Sequence, residues 1–340
     1  MPRALVHIGL GKTGTTSIQS ALVRLRDGPG LGPVRYPSLA RRTDHAMLSV
    51  LYKPYDRLAR GIRAKVDAVP GGYEATRAAV RDEFQPALSS GDDLILSTEF
   101  FDSLSGDEVA RFVDELTRAG YDEIAVLVYL RGPAPLYLSR TQQLVKASGS
   151  IVPPDRFRFG YRSRVEVWAD RVNRLFVRAV EPGADDVVED ALSVAERFFG
   201  IALARPAVAR ENSSLSSEGM ILLQRYRRIV HADRDDQFLP DSNRLLDVIR
   251  AVESEHGNLT QARLAGWASD AVAAVNAEDL AWLAEQHDLD LRGASAEAVD
   301  RPRPVTAVLD VADVLDEWSA AGLELLTHRV MALLLRDPSA

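Results

Sequence analysis

The chain has 340 residues, a formal net charge of −8 and no cysteine. That length holds one large α/β domain, or one such domain with a helical addition. The acidic balance speaks against nucleic-acid binding, which needs basic surfaces, and the missing cysteine removes disulfides, thiolate metal sites and cysteine nucleophiles.

Met1 leads straight into the strand-like "RALVHIG", without the apolar core and small-residue cleavage site of a signal peptide. No apolar run approaches the roughly 20 residues of a membrane span, so a cytoplasmic protein with no membrane span is expected. Strand-like runs occur at 4–8, 93–97, 124–130 and 175–180, and three of them are almost unbroken apolar stretches, as strands covered on both faces should be. Helical patterns lie between them. In 14–26, Ile18, Ala21, Leu22 and Leu25 repeat at helical spacing, and further helices are expected near 73–89, 106–119, 133–147, 163–173 and 187–199. This alternation predicts a three-layer α/β sandwich with a mostly parallel central sheet, of the P-loop type, over residues 1–212. Residues 213–340 are expected to be a helical cap or extension, part of the same domain or a dimerisation element. Its helices are expected at 215–231, 241–256, 260–274, 277–287 and 309–336, with a polar loop at 232–240 and a linker-like stretch at 292–306.

The first strand runs into "GLGKTG" and then a helix. A glycine-rich turn between strand and helix presents backbone N–H groups at the positive end of the helix dipole, which is an anion site. Lys12 adds a full positive charge, and Thr15, Thr16 and Ser17 add hydroxyls. The nucleotide loop G-x-x-x-x-G-K-[ST] is not matched, because ending it at Gly11-Lys12-Thr13 needs a glycine at position 6, which is Val6. Nor does a neighbouring strand end in the aspartate that helps hold magnesium in such enzymes. The strand at 93–97 runs into Thr98-Glu99, and the one at 124–130 runs into Arg131.

A second group is "YLRGPAPLYLSRTQQ" at 129–143. Arg131 stands at the carboxyl end of a strand, where open α/β sheets bind ligands. Pro133 suits a first helical turn, and Ser139 follows about two turns later. Taken alone, the pair is as ordinary as a surface arginine and a helical serine. With the loop it becomes specific: Lys12-Thr13-Gly14-Thr15-Thr16 and the Arg131, Pro133, Ser139 spacing resemble the sulfotransferases that use 3′-phosphoadenosine-5′-phosphosulfate (PAPS), in wording most like the bacterial branch. The resemblance covers about residues 1–215, and "RENSSLS" at 210–216 looks like a later loop of that family that approaches the nucleotide.

The resemblance implies that Gly11, Lys12, Thr13, Gly14, Thr15 and Thr16 hold the 5′-phosphosulfate, with Lys12 on the leaving phosphate. It implies that Arg131 and Ser139 hold the 3′-phosphate, and that no metal is required. A hydroxyl or amine acceptor also needs a general base. Glu99 is the first candidate, placed just past a buried strand beside Phe100 and Phe101, which could raise its pKa; a surface or helix-capping glutamate is the alternative. His45, in "RRTDHAM", is the second, against a surface or packed histidine, and Arg41 and Arg42 beside it could line an acceptor's path. His7 reads as a core histidine beneath the loop. The other histidines lack ligand spacing, so no metal site is expected. The acceptor is a small molecule or a glycan, its identity open. Two rivals stand beside this expectation: a P-loop kinase or NTPase, and a catalytically degenerate relative that only binds.

Overall fold

The computed structural model of the protein describes residues 1–28, 30–39, 43–180, 187–206, 214–257, 259–291 and 309–336. Arg41, Arg42, residues 210–213 of "RENSSLS" and the stretch 292–306 lie outside the described residues. The elements run β1 (Arg3–His7), α1 (Thr15–Asp27), β2 (Val34–Arg35), α2 (Ser49–Tyr52), α3 (Arg60–Asp67), α4 (Gly72–Leu88), β3 (Asp93–Ser97), α5 (Gly106–Arg118), β4 (Glu123–Arg131) and α6 (Pro133–Leu144). They continue with α7 (Tyr161–Ala169), β5 (Arg174–Val180), α8 (Val187–Phe199), α9 (Ser217–Val230), α10 (Pro240–Glu255), α11 (Gly266–Val275), α12 (Ala277–His287), α13 (Val311–Val314) and α14 (Ala320–Arg336). The chain divides into two compact units. The first holds 1–131, 160–211 and 285–289, and the second holds 132–159, 212–284 and 290–340.

The first unit is the α/β part. Its five strands lie in the order β2-β3-β1-β4-β5, and every pairing is parallel. The chain leaves β1 for β2 and β3 on one side, then crosses to β4 on the other. The carboxyl ends of β3, β1 and β4 therefore frame the topological switch point, where ligands bind in such sheets. One face of the sheet, with Leu5, Ile95 and Leu127, packs on Ile18, Leu22 and Leu25 of α1 and on Val188, Leu192 and Phe198 of α8. The opposite-facing Ala4, Val6, Leu94, Leu96, Val126 and Val128 are buried too. Each such leucine or valine contributes roughly 1.5–3 kcal/mol, and burial on both faces explains the near-continuous apolar runs. Beyond β3, Phe101, Phe112 and the fully buried Trp168 stack as a group.

The second unit is helical. Tyr137 of α6 joins Leu223, Ile249, Val272, Val314 and Leu326 in one core, so α6 belongs here although it follows β4 directly. Three details differ from expectation. The two-residue β2 and the short α2 and α3 carry too few residues to show a period. The helix expected at 260–274 begins only at Gly266, because Gln261 and Leu264 form β-bridges to Ser216 and Leu315. The helix expected at 309–336 is two, since Asp310 and Asp313 form a capping box for α13 and Ser319 accepts from the Gly322 N–H at the start of α14. Among the described residues no helix is long and apolar enough to cross a membrane.

Candidate functional site

The loop after β1 is rooted in the sheet. Ile8 N–H donates to the Leu127 carbonyl (3.0 Å), Tyr129 N–H to the Gly9 carbonyl (3.0 Å) and Leu10 N–H to the Tyr129 carbonyl (3.4 Å), so pairing with β4 continues past the strand end. The chain then turns with Gly9, Lys12 and Gly14 at φ values of +94°, +77° and +83°. The Thr13 hydroxyl donates to the Leu10 carbonyl at 2.5 Å and the Thr15 hydroxyl donates to the same oxygen at 3.0 Å. Both threonines are buried, and their protons staple the loop onto itself. The Thr15 hydroxyl, expected among the donors to an anion, gives its proton inside the loop to the Leu10 carbonyl. Thr16 and Lys12 are exposed, and Gly11 is half-buried.

Gly14 is the N-cap of α1, and no side chain caps that helix. The N–H groups of its first turn have no intrahelical partner and lie at the positive end of the dipole. Glycine is required here twice over. The backbone is left-handed, and a Cβ would stand 2.4 Å from Cγ1 of Val187, the first residue of α8. Gly14→Ala is expected to cost about 1–2 kcal/mol through handedness and more through the overlap. A melting temperature at or above the wild-type value would show that the loop tolerates the change.

Glu99 lies against this loop. A Cβ on Gly9 would come within 2.9 Å of the Glu99 Cα, so the glycine is what lets the two segments approach. Glu99 opens a 3₁₀ turn, Glu99–Ser103, started by Thr98, whose hydroxyl accepts from the Phe100 N–H at 3.2 Å. It is half-buried. From the other side Arg131, at the end of β4, donates from Nη1 to the Lys12 carbonyl at 3.4 Å, and its own carbonyl accepts from the Tyr161 hydroxyl at 2.8 Å. Burial pushes the Arg131 pKa down, but a guanidinium keeps its charge in proteins. Three of the expected groups, the loop with Lys12, Glu99 and Arg131, thus meet at the switch point. Ser139 is half-buried on α6 in the second unit.

His45 is elsewhere in role. It is fully buried, its Nε2 is 2.7 Å from the Pro37 carbonyl, and its Nδ1 accepts from the Ser97 N–H at 3.0 Å. Burial lowers its pKa to about 4. With both ring nitrogens engaged it has no lone pair for an acceptor's proton, so the expectation that made it a second base is corrected. His7 is buried beneath the loop, with Nδ1 2.8 Å from the Ser97 hydroxyl, and burial lowers its pKa to about 3. Ser97 is the residue that sequence reasoning missed: it touches both histidines. Its only signal was its place at the end of an apolar strand.

No family model, curated protein or solved structure matches this chain. The site stands on its own residues: a helix start without a side-chain cap, Lys12, Arg131 and Glu99 at the carboxyl edge of a parallel sheet. Among the described residues no group of three or more His, Asp or Glu stands together as a metal site would require.

Proposed function

We propose that the protein is a sulfotransferase that moves a sulfuryl group from PAPS to a hydroxyl or amine of an acceptor. The observation that carries this reading is the junction of the Gly9–Gly14 loop with Glu99 and Arg131. A helix start without a side-chain cap has Arg131 donating to the loop's Lys12 carbonyl and the backbone of Glu99 packed on its first glycine. The N–H groups at the start of α1 suit a 5′-phosphate. Lys12 would stabilise charge on the bridging oxygen as it leaves. Glu99 would take the acceptor's proton as the acceptor oxygen or nitrogen bonds to sulfur and the bond from sulfur to the bridging oxygen breaks. The Arg131 fork, with Ser139 by the sequence resemblance, would bind the 3′-phosphate. The products are the sulfated acceptor and 3′-phosphoadenosine-5′-phosphate.

A second reading has one observation of its own. Glu99, whose backbone packs on Gly9, also stands where a magnesium-dependent kinase or NTPase would keep its acid. Ligand-induced stabilisation separates the two. The expected result is a rise in melting temperature with 3′-phosphoadenosine-5′-phosphate in the absence of magnesium, and little change with ATP. A rise with ATP and magnesium alone would replace the sulfotransferase by the NTPase, and no rise with either nucleotide would overturn both.

A further inference from the structure

We propose that His45 is a positioning residue that sets the place of Glu99 at the loop; the inference rests on the reading of Glu99 as the base for sulfuryl transfer. The argument starts at the edge of the sheet. β2 pairs with β3 only at Asp93 and Leu94, so the outer edge of β3 loses its strand partner three residues before it ends. At Ser97 His45 stands in for the missing strand on both backbone groups, and Gln19 Nε2 adds a longer bond to the Ser97 carbonyl at 3.4 Å. The His45 backbone N–H donates to the Ser97 carbonyl at 3.0 Å, and the Ser97 N–H donates to His45 Nδ1 at 3.0 Å. A ring nitrogen thus stands where a neighbouring strand would place a carbonyl oxygen.

The hydrogen bonds assign the tautomer. Nδ1 accepts, so the ring proton is on Nε2, which donates to the Pro37 carbonyl at 2.7 Å. The ring is closed from water and lies on Tyr36, with centroids 4.5 Å apart. On its inner side the same end of β3 is tied to β1: the Ser97 hydroxyl meets His7 Nδ1 at 2.8 Å, and the Thr98 N–H donates to the His7 carbonyl at 2.9 Å. Both residues before Glu99 are therefore pinned, one from each side. Glu99 follows them with its Cα close enough to Gly9 to exclude a Cβ there. A histidine that only filled the core would need neither this tautomer nor this two-point contact.

Isosteric replacements divide the two ring nitrogens. His45→Asn keeps an acceptor near the Nδ1 position, whereas His45→Gln keeps a donor near Nε2 and leaves the Ser97 N–H without a partner. The activity probe is sulfate release from PAPS with water as the acceptor. For His45→Gln the expected result is a fall in kcat of about tenfold or more, since a buried N–H has been orphaned, with the KM for PAPS unchanged. Amide hydrogen exchange at Ser97, Thr98 and Glu99 should accelerate, and His45→Asn should restore most of both. Wild-type kcat and exchange in His45→Gln, or equal losses in the two variants, would overturn the proposal. If either variant fails to fold, the ring nitrogen shifts of the unaltered protein decide: a neutral ring protonated on Nδ1 would overturn it, and one protonated on Nε2 would support it. If the unaltered protein releases no sulfate, the sulfotransferase reading fails while the exchange comparison still judges the clamp.

Discussion

Replacing Lys12 with alanine is expected to lower sulfate release from PAPS by about a hundred- to a thousandfold, the usual effect of removing one preorganised charge donor from a transition state. Lys12 is exposed on a loop that is held at other points as well. Thr13 and Thr15 fasten the loop to the Leu10 carbonyl, and the β4 ladder holds its root. Alanine at φ +77° is no better suited to that backbone than lysine, so the substitution leaves the handedness cost in place. The loss should fall mainly on kcat. A lysine aimed at the bridging oxygen acts most strongly when charge builds there on bond cleavage, and less on the bound ground state. Binding of 3′-phosphoadenosine-5′-phosphate, read from its effect on the melting temperature, should weaken much less than turnover. Wild-type sulfate release in Lys12→Ala would remove the lysine from the mechanism. Equal losses in binding and turnover would make it a plain phosphate contact.

The parts of this site that were legible in the sequence are those fixed by local chemistry. A strand, a glycine-rich turn, a lysine and a helical stripe occupy 22 consecutive positions from Ala4 to Leu25, and each has its own short-range signature. That Glu99 would stand beside the loop was legible because it follows a buried strand that ends at the same edge of the sheet. What remained hidden depends on the third dimension. A threonine in a phosphate loop looks the same whether its hydroxyl faces the ligand or, as with Thr15, the Leu10 carbonyl five residues back. His45 in "RRTDHAM" has the flanks of an exposed residue, and only the shortness of β2 explains why an imidazole is drawn into the sheet edge. In 309–336 the apolar period runs on, but the capping residues Asp310 and Ser319 mark two helix starts, and capping outranks periodicity where they conflict.

Acid should unfold the protein from the end of β3 outward. His7 and His45 have ordinary values of 6.5, and burial lowers them to about 3 and about 4. For His45 the Pro37 hydrogen bond and Asp44 pull the value back up, Arg26 pushes it down, and burial outweighs them. In both cases the folded protein holds the neutral ring, while the unfolded chain takes up a proton as soon as the pH falls below 6.5. The unfolded state then binds more protons, so stability is fully present above pH 6.5 and is lost as the pH falls toward 4 for His45 and toward 3 for His7. Between pH 7 and pH 5 the loss is about 2 kcal/mol for each ring. Together that is about 4 kcal/mol, a large share of the 5–15 kcal/mol that holds a typical domain. The window lies above the ordinary carboxylate range; burial also raises Glu253, which acts in the opposite sense, and lowers His287, which acts in the same sense. Urea unfolding at pH 7.0, 6.0 and 5.0 measures the effect. A fall of several kcal/mol is expected in the unaltered protein, with about half the slope remaining in His45→Asn. A stability that stays level from pH 7 to pH 5 would mean that the two rings are already open to water. Both rings touch Ser97, one on its backbone N–H and one on its hydroxyl. Protonating His45 sets a donor against the Ser97 N–H, and charging His7 sets a buried cation beside the Ser97 hydroxyl, two positions before Glu99. Turnover should therefore decline at a higher pH than global unfolding.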